Sequence, residues 1–228
     1  MKTIYFVRHG ETNWNKEGRY QGITDIPLNE KGLAQTVACR DALANVHFDR
    51  IISSDLSRAL VTAETIRGDR HIDIVTTSGL REVNFGDWET LTIDEIEEKW
   101  PGQIFEMYRR PEKIQLPNGE SFEEVGERAW AVLQAFIEAV EEDETILVTC
   151  HGGTIRTLIC KLLHLPVSYS WNFSQGNTGI NRIFYNGMGE DDHNILNLLN
   201  DTKHADVLDM KKIQYITSTG VICMLYMK

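Results

Sequence analysis

The chain has 228 residues, with 34 acidic and 23 basic side chains and a formal net charge of −11. This length suffices for one large α/β domain, or two small ones, with a real core. The negative charge argues against nucleic acid or an anionic membrane surface as a partner. The four cysteines form no CxxC pair, which is typical of reduced thiols. Without a leader-like N-terminus or an apolar run of membrane-spanning length, the chain is predicted to be cytoplasmic.

A short apolar strand is predicted over residues 2–7, and it delivers Arg8, His9 and Gly10 to its carboxyl end. Ligands bind at that edge of open α/β sheets. Arginine gives a permanent cation, histidine a nucleophile or base, and glycine room for close approach of a ligand. The grouping suits a phosphoryl group. Taken alone, these three residues are better explained by a strand-end ion pair and a turn glycine.

The next stretch, residues 11–29, is a polar and glycine-punctuated loop, and loops of this length in compact domains usually serve function. A helix is predicted over residues 30–44. Its expected inner face consists of Leu33, Val37, Ala38 and Leu43.

A strand over residues 48–52 and a helix over residues 58–66 follow, with Ser57 as the expected cap. Arg58 then lies in the first helical turn, where a cation is unfavourable because of the helix dipole. An anion in front of the helix would explain the arginine. A contact of Arg58 with Asp55 or with solvent would explain it too.

The middle of the chain has a strand over residues 72–76 and two capping boxes, Thr92 with Glu95 and Ser121 with Glu124. The second box opens a long helix that is predicted to end near residue 142. Residues 101–120, bounded by prolines, are predicted to be irregular.

The histidine arrangement of the N-terminus occurs a second time. A strand over residues 145–149 ends in Cys150-His151-Gly152-Gly153, and a helix over residues 154–163 follows. Strands over residues 180–185 and 195–199, joined through an Asn186-Gly187 turn, form a terminal pair.

Alternating strands and helices predict an α/β fold, a three-layer α/β/α sandwich around a mostly parallel sheet. We expect one domain over residues 1–228. It has a cap-like insertion at about residues 85–120 and an unassigned C-terminal extension at about residues 201–228.

His9 and His151 meet at one sheet edge if their strands are neighbours, and Arg8 and Arg58 can join them. Two guanidiniums and two imidazoles would provide the dense positive charge that phosphoryl transfer demands. One histidine can act as the nucleophile. The chain shows no metal-binding motif, so we expect no metal and no cofactor. Glu82 is the candidate general acid, although a surface ion pair with Arg81 would explain it as well.

Motifs along most of the chain then point to one family. In chain order the blocks are Arg8-His9-Gly10-Glu11-Thr12 with Asn15, Gln21-Gly22-x-x-Asp25-x-Pro27-Leu28 with Gly32, Ser53-Ser54-Asp55-Leu56-x-Arg58-Ala59 with Thr62-Ala63, Leu80-Arg81-Glu82, Gly86-Asp87-Trp88-Glu89, Gly119-Glu120-Ser121 and His151-Gly152-Gly153. The chain resembles the histidine phosphatase superfamily, which has the phosphoglycerate mutase-like fold. Asn84-Phe85-Gly86-Asp87-Trp88 resembles its small phosphatases, including α-ribazole phosphatases and broad-specificity phosphatases.

The resemblance implies a role for each matched residue. His9 would be the nucleophile and Glu82 the acid, then the base toward water. The implied phosphate-binding residues are Arg8, Asn15, Gln21, Gly22, Arg58, His151 and Gly152. The implied activity is metal-independent hydrolysis of a small phosphomonoester through a phosphohistidine. A homodimer is compatible with this assignment.

Three alternatives stay open. Cys150 to Thr157 fits the CxxGxxR[ST] pattern of cysteine-dependent phosphatases. A cofactor-dependent phosphoglycerate mutase would use the same histidine, and Arg109, Arg110 and Lys113 could hold a substrate carboxylate or only face solvent. A non-catalytic phospho-ligand binder would require a damaged nucleophile or acid, and both positions are intact.

Overall fold

A six-stranded sheet forms the centre of the protein in the computed structural model, which describes residues 1–140 and 143–205. The strands are β1 Lys2–Arg8, β2 Arg50–Ser54, β3 Ile74–Thr77, β4 Thr145–Cys150, β5 Ile180–Tyr185 and β6 Ile195–Asp201. Their spatial order is β3-β2-β4-β1-β5-β6. Of these six strands, β5 alone runs against the others. The predicted α/β fold with a mostly parallel sheet is confirmed.

Helices cover both faces of the sheet. They are α1 Asn13–Glu17, α2 Glu30–Ala42, α3 Ser57–Arg67, α4 Ile93–Lys99, α5 Gln103–Arg109, α6 Phe122–Glu138 and α7 Gly152–Leu162. Because successive side chains of a strand point to opposite faces, Ile4 and Phe6 of β1 pack with α6 and α7, whereas Tyr5 and Val7 pack with α2 and α3. The three predicted layers are therefore present. No helix in the described ranges is long and apolar enough to span a bilayer.

The expected inner face of α2 is wrong for Leu33 and Val37, whereas Leu43 is buried as expected. Leu33 and Val37 are 47% and 42% exposed, and the buried residues of α2 are Gly32, Gln35, Thr36 and Cys39. The loop after β1 determines which face of α2 is buried. A Cβ on Gly32 would lie 2.0 Å from the carbonyl oxygen of Glu11, so only glycine fits, and the Glu11 N–H donates to the side chain of Gln35. Polar contacts with this loop outweigh the burial of two aliphatic side chains.

The proline-bounded segment is not wholly irregular, because α5 lies inside it. Pro101 and Pro111 lie outside this helix, where they cannot interrupt its hydrogen bonds. Ile104 and Met107, three residues apart, bury one face of α5 in a cluster with Trp88 and with Phe122 at the start of α6. Spacing at i and i+3 was the signal in the sequence for this helix.

Ser57 does not cap α3. The N-cap is Leu56, whose side chain cannot accept a hydrogen bond, and Ser57 is the first helical residue. Both the backbone N–H and the hydroxyl of Ser57 donate to Asp25 instead. The capping boxes at α4 and α6 are present as predicted.

Several other boundaries differ. The predicted loop after β1 contains α1, α6 ends at Glu138, and the connection from β5 to β6 spans residues 186–194 rather than a two-residue turn. Asn194 holds this longer connection by donating to the carbonyl oxygens of Leu162 and Gly187. Most of the predicted C-terminal extension, residues 206–228, lies outside the described residues.

Candidate active site

The carboxyl ends of β1 and β4 bring the two histidines together. The strands are parallel neighbours, and their register pairs Arg8 with Cys150. The residues that follow, His9 and His151, therefore leave the sheet side by side. Their ring centroids lie 5.2 Å apart, with an angle of 56° between the ring planes.

His9 is buried and holds its proton on the nitrogen that faces the main chain. Nδ1 lies 2.7 Å from the carbonyl oxygen of Gly10, and only a protonated nitrogen can donate to a carbonyl. Nε2 therefore keeps its lone pair. Burial, followed by repulsion from Arg58 and Arg8, holds the pKa of His9 well below its usual value. At neutral pH the imidazole is uncharged and nucleophilic.

His151 is also buried and also neutral. Burial, together with Arg58, the neighbouring His9 ring and Arg8, holds its pKa well below the usual value. Its Nε2 lies 2.8 Å from the Ser54 hydroxyl, and that hydroxyl accepts the backbone N–H of Leu56. The Ser54 hydroxyl can therefore donate its proton to Nε2 of His151, which then acts as the acceptor. In this neutral form the ring proton is on Nδ1 of His151, and that atom is buried without a hydrogen-bond partner in the described residues.

The two arginines are held by main-chain carbonyl groups. Arg58, completely buried, donates from its Nη atoms to the carbonyl oxygens of Gly22 and Thr24, at 2.7 Å each. Arg8 donates from Nη1 to the carbonyl oxygen of Gln175, also at 2.7 Å. Burial lowers the pKa of Arg58 to about 10, so it stays charged at neutral pH.

The arrangement leaves buried donors without partners. Nε of Arg8, Nε of Arg58 and Nδ1 of His151 are buried, and none has a hydrogen-bond partner within the described residues. An unsatisfied buried polar group costs about 1–3 kcal/mol, and more when it is charged. A group with several acceptor oxygens and negative charge would satisfy all three donors. A phosphoryl group has this chemistry.

Glu82 lies at the N-terminus of α7, close to these cations. Its carboxylate oxygens accept the backbone N–H groups of Gly153 and Thr154, at 3.1 and 3.2 Å. Its charge raises the pKa values of Arg8 and Arg58 against the larger effect of burial. Glu82 is not paired with Arg81, which forms a two-point ion pair with Asp55 instead. The surface-pair alternative for Glu82 is therefore wrong.

The remaining predicted site residues lie around this centre. Oδ1 of Asn15 accepts from Thr12 and from Asn177. The buried Gln21 accepts from the Thr12 hydroxyl. Gly22 contributes the carbonyl group that holds Arg58, and Gly152 is the first residue of α7. All nine residues predicted for the site thus belong to the strand end, loops and helix starts at one edge of the sheet.

The family follows from comparison with known proteins. The profile of the histidine phosphatase superfamily (branch 1) matches residues 4–202. The chain belongs to the histidine phosphatase superfamily. The resemblance in the sequence is thereby confirmed, and the chain is a phosphatase-type enzyme.

Three relatives are close in sequence or fold. Phosphoserine phosphatase 1 of Hydrogenobacter thermophilus is 30% identical over 207 residues, which cover 90% of this chain and 94% of that protein. A probable phosphoglycerate mutase, GpmB of Salmonella arizonae, is 35% identical over 185 residues, which cover 81% and 86%. The structure of mycobacterial glucosyl-3-phosphoglycerate phosphatase matches with a TM-score of 0.80 and 28% identity over 88% of this chain and 99% of that one.

Three residues of this histidine phosphatase site were missed in the sequence, and a fourth was considered only within the cysteine-phosphatase pattern. Gln175, Asn177 and Thr178 form a strap across the end of β1. The side chain of Asn177 donates to the carbonyl oxygen of His9, and the backbone N–H of Thr178 donates to the carbonyl oxygens of Arg8 and His9. Thr178 adopts a left-handed backbone, with φ of 54°, which is unusual for a β-branched residue. The fourth residue is Arg156, which lies against Gly152. No local pattern marks the strap.

The geometry disfavours the cysteine alternative. Cys150 ends β4 and is completely buried, and burial raises the pKa of its thiol. A thiol with a raised pKa is a poor nucleophile at neutral pH. Within residues 1–140 and 143–205, no cluster of three or more His, Cys, Asp or Glu side chains could hold a metal ion. Arg8 and Arg58 supply positive charge at this site.

The lowered pKa values predict how stability depends on pH. In the unfolded chain both imidazoles gain protons as the pH falls through about 6.5, whereas the folded chain keeps them neutral. The contribution of the two neutral histidines to the free energy of unfolding is therefore complete above about pH 6.5 and is lost as the pH falls below it. Between about pH 7.5 and 5.5 the loss is about 1.4 kcal/mol per histidine.

Urea unfolding at these two pH values tests this expectation. The double variant His9→Asn/His151→Asn should lack the additional loss of about 2.7 kcal/mol that both histidines produce in the wild type. His47→Asn, at an exposed histidine, is the matched control and should behave like the wild type. Equal pH dependence in the wild type and the double variant would contradict the assignment of neutral, buried imidazoles.

Proposed function

We propose that this protein is a metal-independent phosphomonoesterase that hydrolyses a small phosphorylated metabolite through a phosphohistidine on His9. The observation that carries the proposal is the buried, neutral imidazole of His9 beside three buried donors without partners. A neutral imidazole is the nucleophilic form, and fixed donors can stabilise charge that develops on a transferring phosphoryl group.

In the bound state the phosphoryl oxygens accept hydrogen bonds from Arg8 Nε, Arg58 Nε and His151 Nδ1. The hydrogen bonds of both guanidiniums to main-chain carbonyl groups fix their positions before substrate arrives. Preorganised donors cost little reorganisation during the reaction. The two arginines supply the positive charge that a metal ion provides in many phosphoryl-transfer sites.

In the first step the lone pair of His9 Nε2 attacks phosphorus. The N–P bond forms as the P–O bond to the leaving group breaks, and the leaving oxygen takes a proton from Glu82, which is protonated in the substrate complex because the phosphate dianion beside it disfavours a second negative charge. The His9 ring becomes cationic at this point. The Gly10 carbonyl group that accepts Nδ1–H stabilises that charge.

In the second step water attacks the phosphohistidine. Glu82, now a carboxylate, takes a proton from the water as the new P–O bond forms. The N–P bond breaks, and its electron pair returns to Nε2. Inorganic phosphate leaves, and one proton remains on Glu82 for the next cycle.

A phosphoglycerate mutase is the second candidate, favoured by the 35% identity to a probable enzyme of that kind. It would form the same phosphohistidine but return the phosphoryl group to a second hydroxyl of the substrate. A cytoplasmic location and a homodimer remain predictions from the sequence.

Two parallel assays distinguish the candidates. We expect phosphate release from p-nitrophenyl phosphate without interconversion of 3-phosphoglycerate and 2-phosphoglycerate, and no effect of a chelator. His9→Ala should lose roughly 10³-fold or more in kcat/KM, whereas Cys150→Ser should retain activity. Interconversion without release would support the mutase, and neither reaction would support a binder. Inactivation by the chelator, reversed by Mg²⁺, would contradict metal independence.

Glu82→Gln should slow hydrolysis most for substrates with poor leaving groups. An alkyl phosphate needs a proton on its departing oxygen, so we expect kcat/KM to fall about 10²–10⁴-fold. The p-nitrophenolate group leaves largely without a proton, so kcat/KM for p-nitrophenyl phosphate should fall less than about tenfold. Steady-state kinetics on both substrates measures the difference. Equal losses would remove Glu82 as the general acid.

A further inference from the structure

Arg156 is a third guanidinium at the edge of the site, and none of the steps above uses it. It lies on α7, one turn after Gly152. Its guanidinium stacks on the indole of Trp171, with Cζ 4.6 Å from the ring centroid, and its Nε donates to the carbonyl oxygen of Phe173 at 2.9 Å. These two contacts fix the plane of the group.

The contacts of Arg156 aim its Nη1 at the phosphate-binding cations. A Cβ built on Gly152 would lie 2.9 Å from Nη1 of Arg156 and 3.5 Å from Nε of Arg8. Both nitrogens thus border the same small space, and only a glycine at position 152 leaves it open. Burial and, after it, repulsion from Arg8 lower the pKa of Arg156 to about 10, so Arg156 is charged at neutral pH.

No protein carboxylate forms an ion pair with this third cation in the described part of the chain, and the nearby Glu82 only partly offsets the effect of burial and of Arg8 on the pKa of Arg156. Among residues 1–140 and 143–205, no carboxylate lies within ion-pair distance of Arg156, and neither of its Nη atoms has a hydrogen-bond partner. Exposed arginines of the insertion differ, since Arg110 pairs with Glu106. Two like charges side by side in a half-buried setting are unfavourable unless a ligand brings negative charge to both.

The walls around Arg156 favour a small ligand. Trp171 also contacts Tyr108 of the insertion, with ring centroids 4.5 Å apart, and Phe122 of α6. Trp171 thus joins Arg156 to an aromatic cluster, while Nη1 of Arg156 and Nε of Arg8 border the same small space beside Gly152. A substrate that reaches both cations therefore carries its second anionic group close to its phosphate.

We propose that Arg156, held on Trp171, binds a carboxylate of the substrate and makes this enzyme selective for small phosphorylated carboxylic acids. The proposal rests on the proposed phosphatase function and names its substrate class. The names of three relatives support this class, since phosphoserine, phosphoglycerate and glucosyl-3-phosphoglycerate each carry a carboxylate. Arg109, Arg110 and Lys113, the cations considered for this role in the sequence, lie in the insertion, where Arg110 is already paired.

The test compares substrates that differ in the carboxylate. O-phosphoserine and 3-phosphoglycerate are matched with O-phosphoethanolamine and glycerol 3-phosphate, and p-nitrophenyl phosphate serves as the common reference. For Arg156→Gln we expect kcat/KM on the two acids to fall roughly 10- to 100-fold, mainly through KM, as for a lost charge-assisted hydrogen bond. The loss on the substrates without a carboxylate should be at least tenfold smaller. Arg156→Lys, which keeps the charge but not the planar group, should lie between.

Arg109→Gln is the matched control, because it removes an exposed arginine of the insertion, and it should leave all five activities unchanged. Urea unfolding of each variant separates lost binding from lost structure. Equal losses of kcat/KM on substrates with and without the carboxylate would overturn the proposal. A loss confined to the carboxylate substrates in Arg109→Gln, and not in Arg156→Gln, would overturn it too. So would a wild type that prefers the substrates without a carboxylate. If the wild type released phosphate from none of the five, including p-nitrophenyl phosphate, the proposed phosphatase function itself would fail.

Discussion

The structure depends on a buried cluster of positive hydrogen-bond donors that the protein itself leaves incompletely satisfied. Arg8 and Arg58 donate their Nη atoms to fixed carbonyl groups, yet each keeps a buried Nε without a partner in the described part of the chain. Such a cluster opposes folding, because buried cations and unpaired donors are both unfavourable. Its retention at one sheet edge is understandable if a dianionic ligand completes it. Burial and, after it, repulsion from these arginines lower the pKa values of the neighbouring imidazoles and keep them neutral.

The fold holds this cluster by close backbone contacts rather than by flexible side chains. Gly22, whose carbonyl group holds Arg58, has a left-handed backbone with φ of 54° and lies against the side chain of Glu89. Glu89 in turn accepts the backbone N–H groups of Ile23 and Thr24, which fixes this part of the loop. At the other side, Gly153 leaves room for Glu82: a Cβ there would lie 2.6 Å from its carboxylate. Anchoring the loops in this way limits the movement of the cations, as preorganised catalysis requires.

Sequence and structure agree where the signal is local. The strands, the capping boxes of α4 and α6, and the two histidines at strand ends follow from periodicity and capping chemistry. The misses depend on tertiary contacts. The rotation of α2 is set by a loop that approaches Gly32, and the strap at Gln175 reaches Arg8 from a distant part of the chain. Arg156 reads as an ordinary helical residue until α7 is placed beside Trp171.

The most direct measurement is to trap the covalent intermediate. Enzyme mixed with an excess of phosphomonoester is quenched within a turnover, and the phosphorylated peptide is identified by mass spectrometry. The account predicts one phosphoryl group on the peptide that contains His9, labile to acid and stable to base, absent from His9→Ala and retained in Cys150→Ser. A phosphoryl group on Cys150, or turnover that continues in His9→Ala, would contradict it.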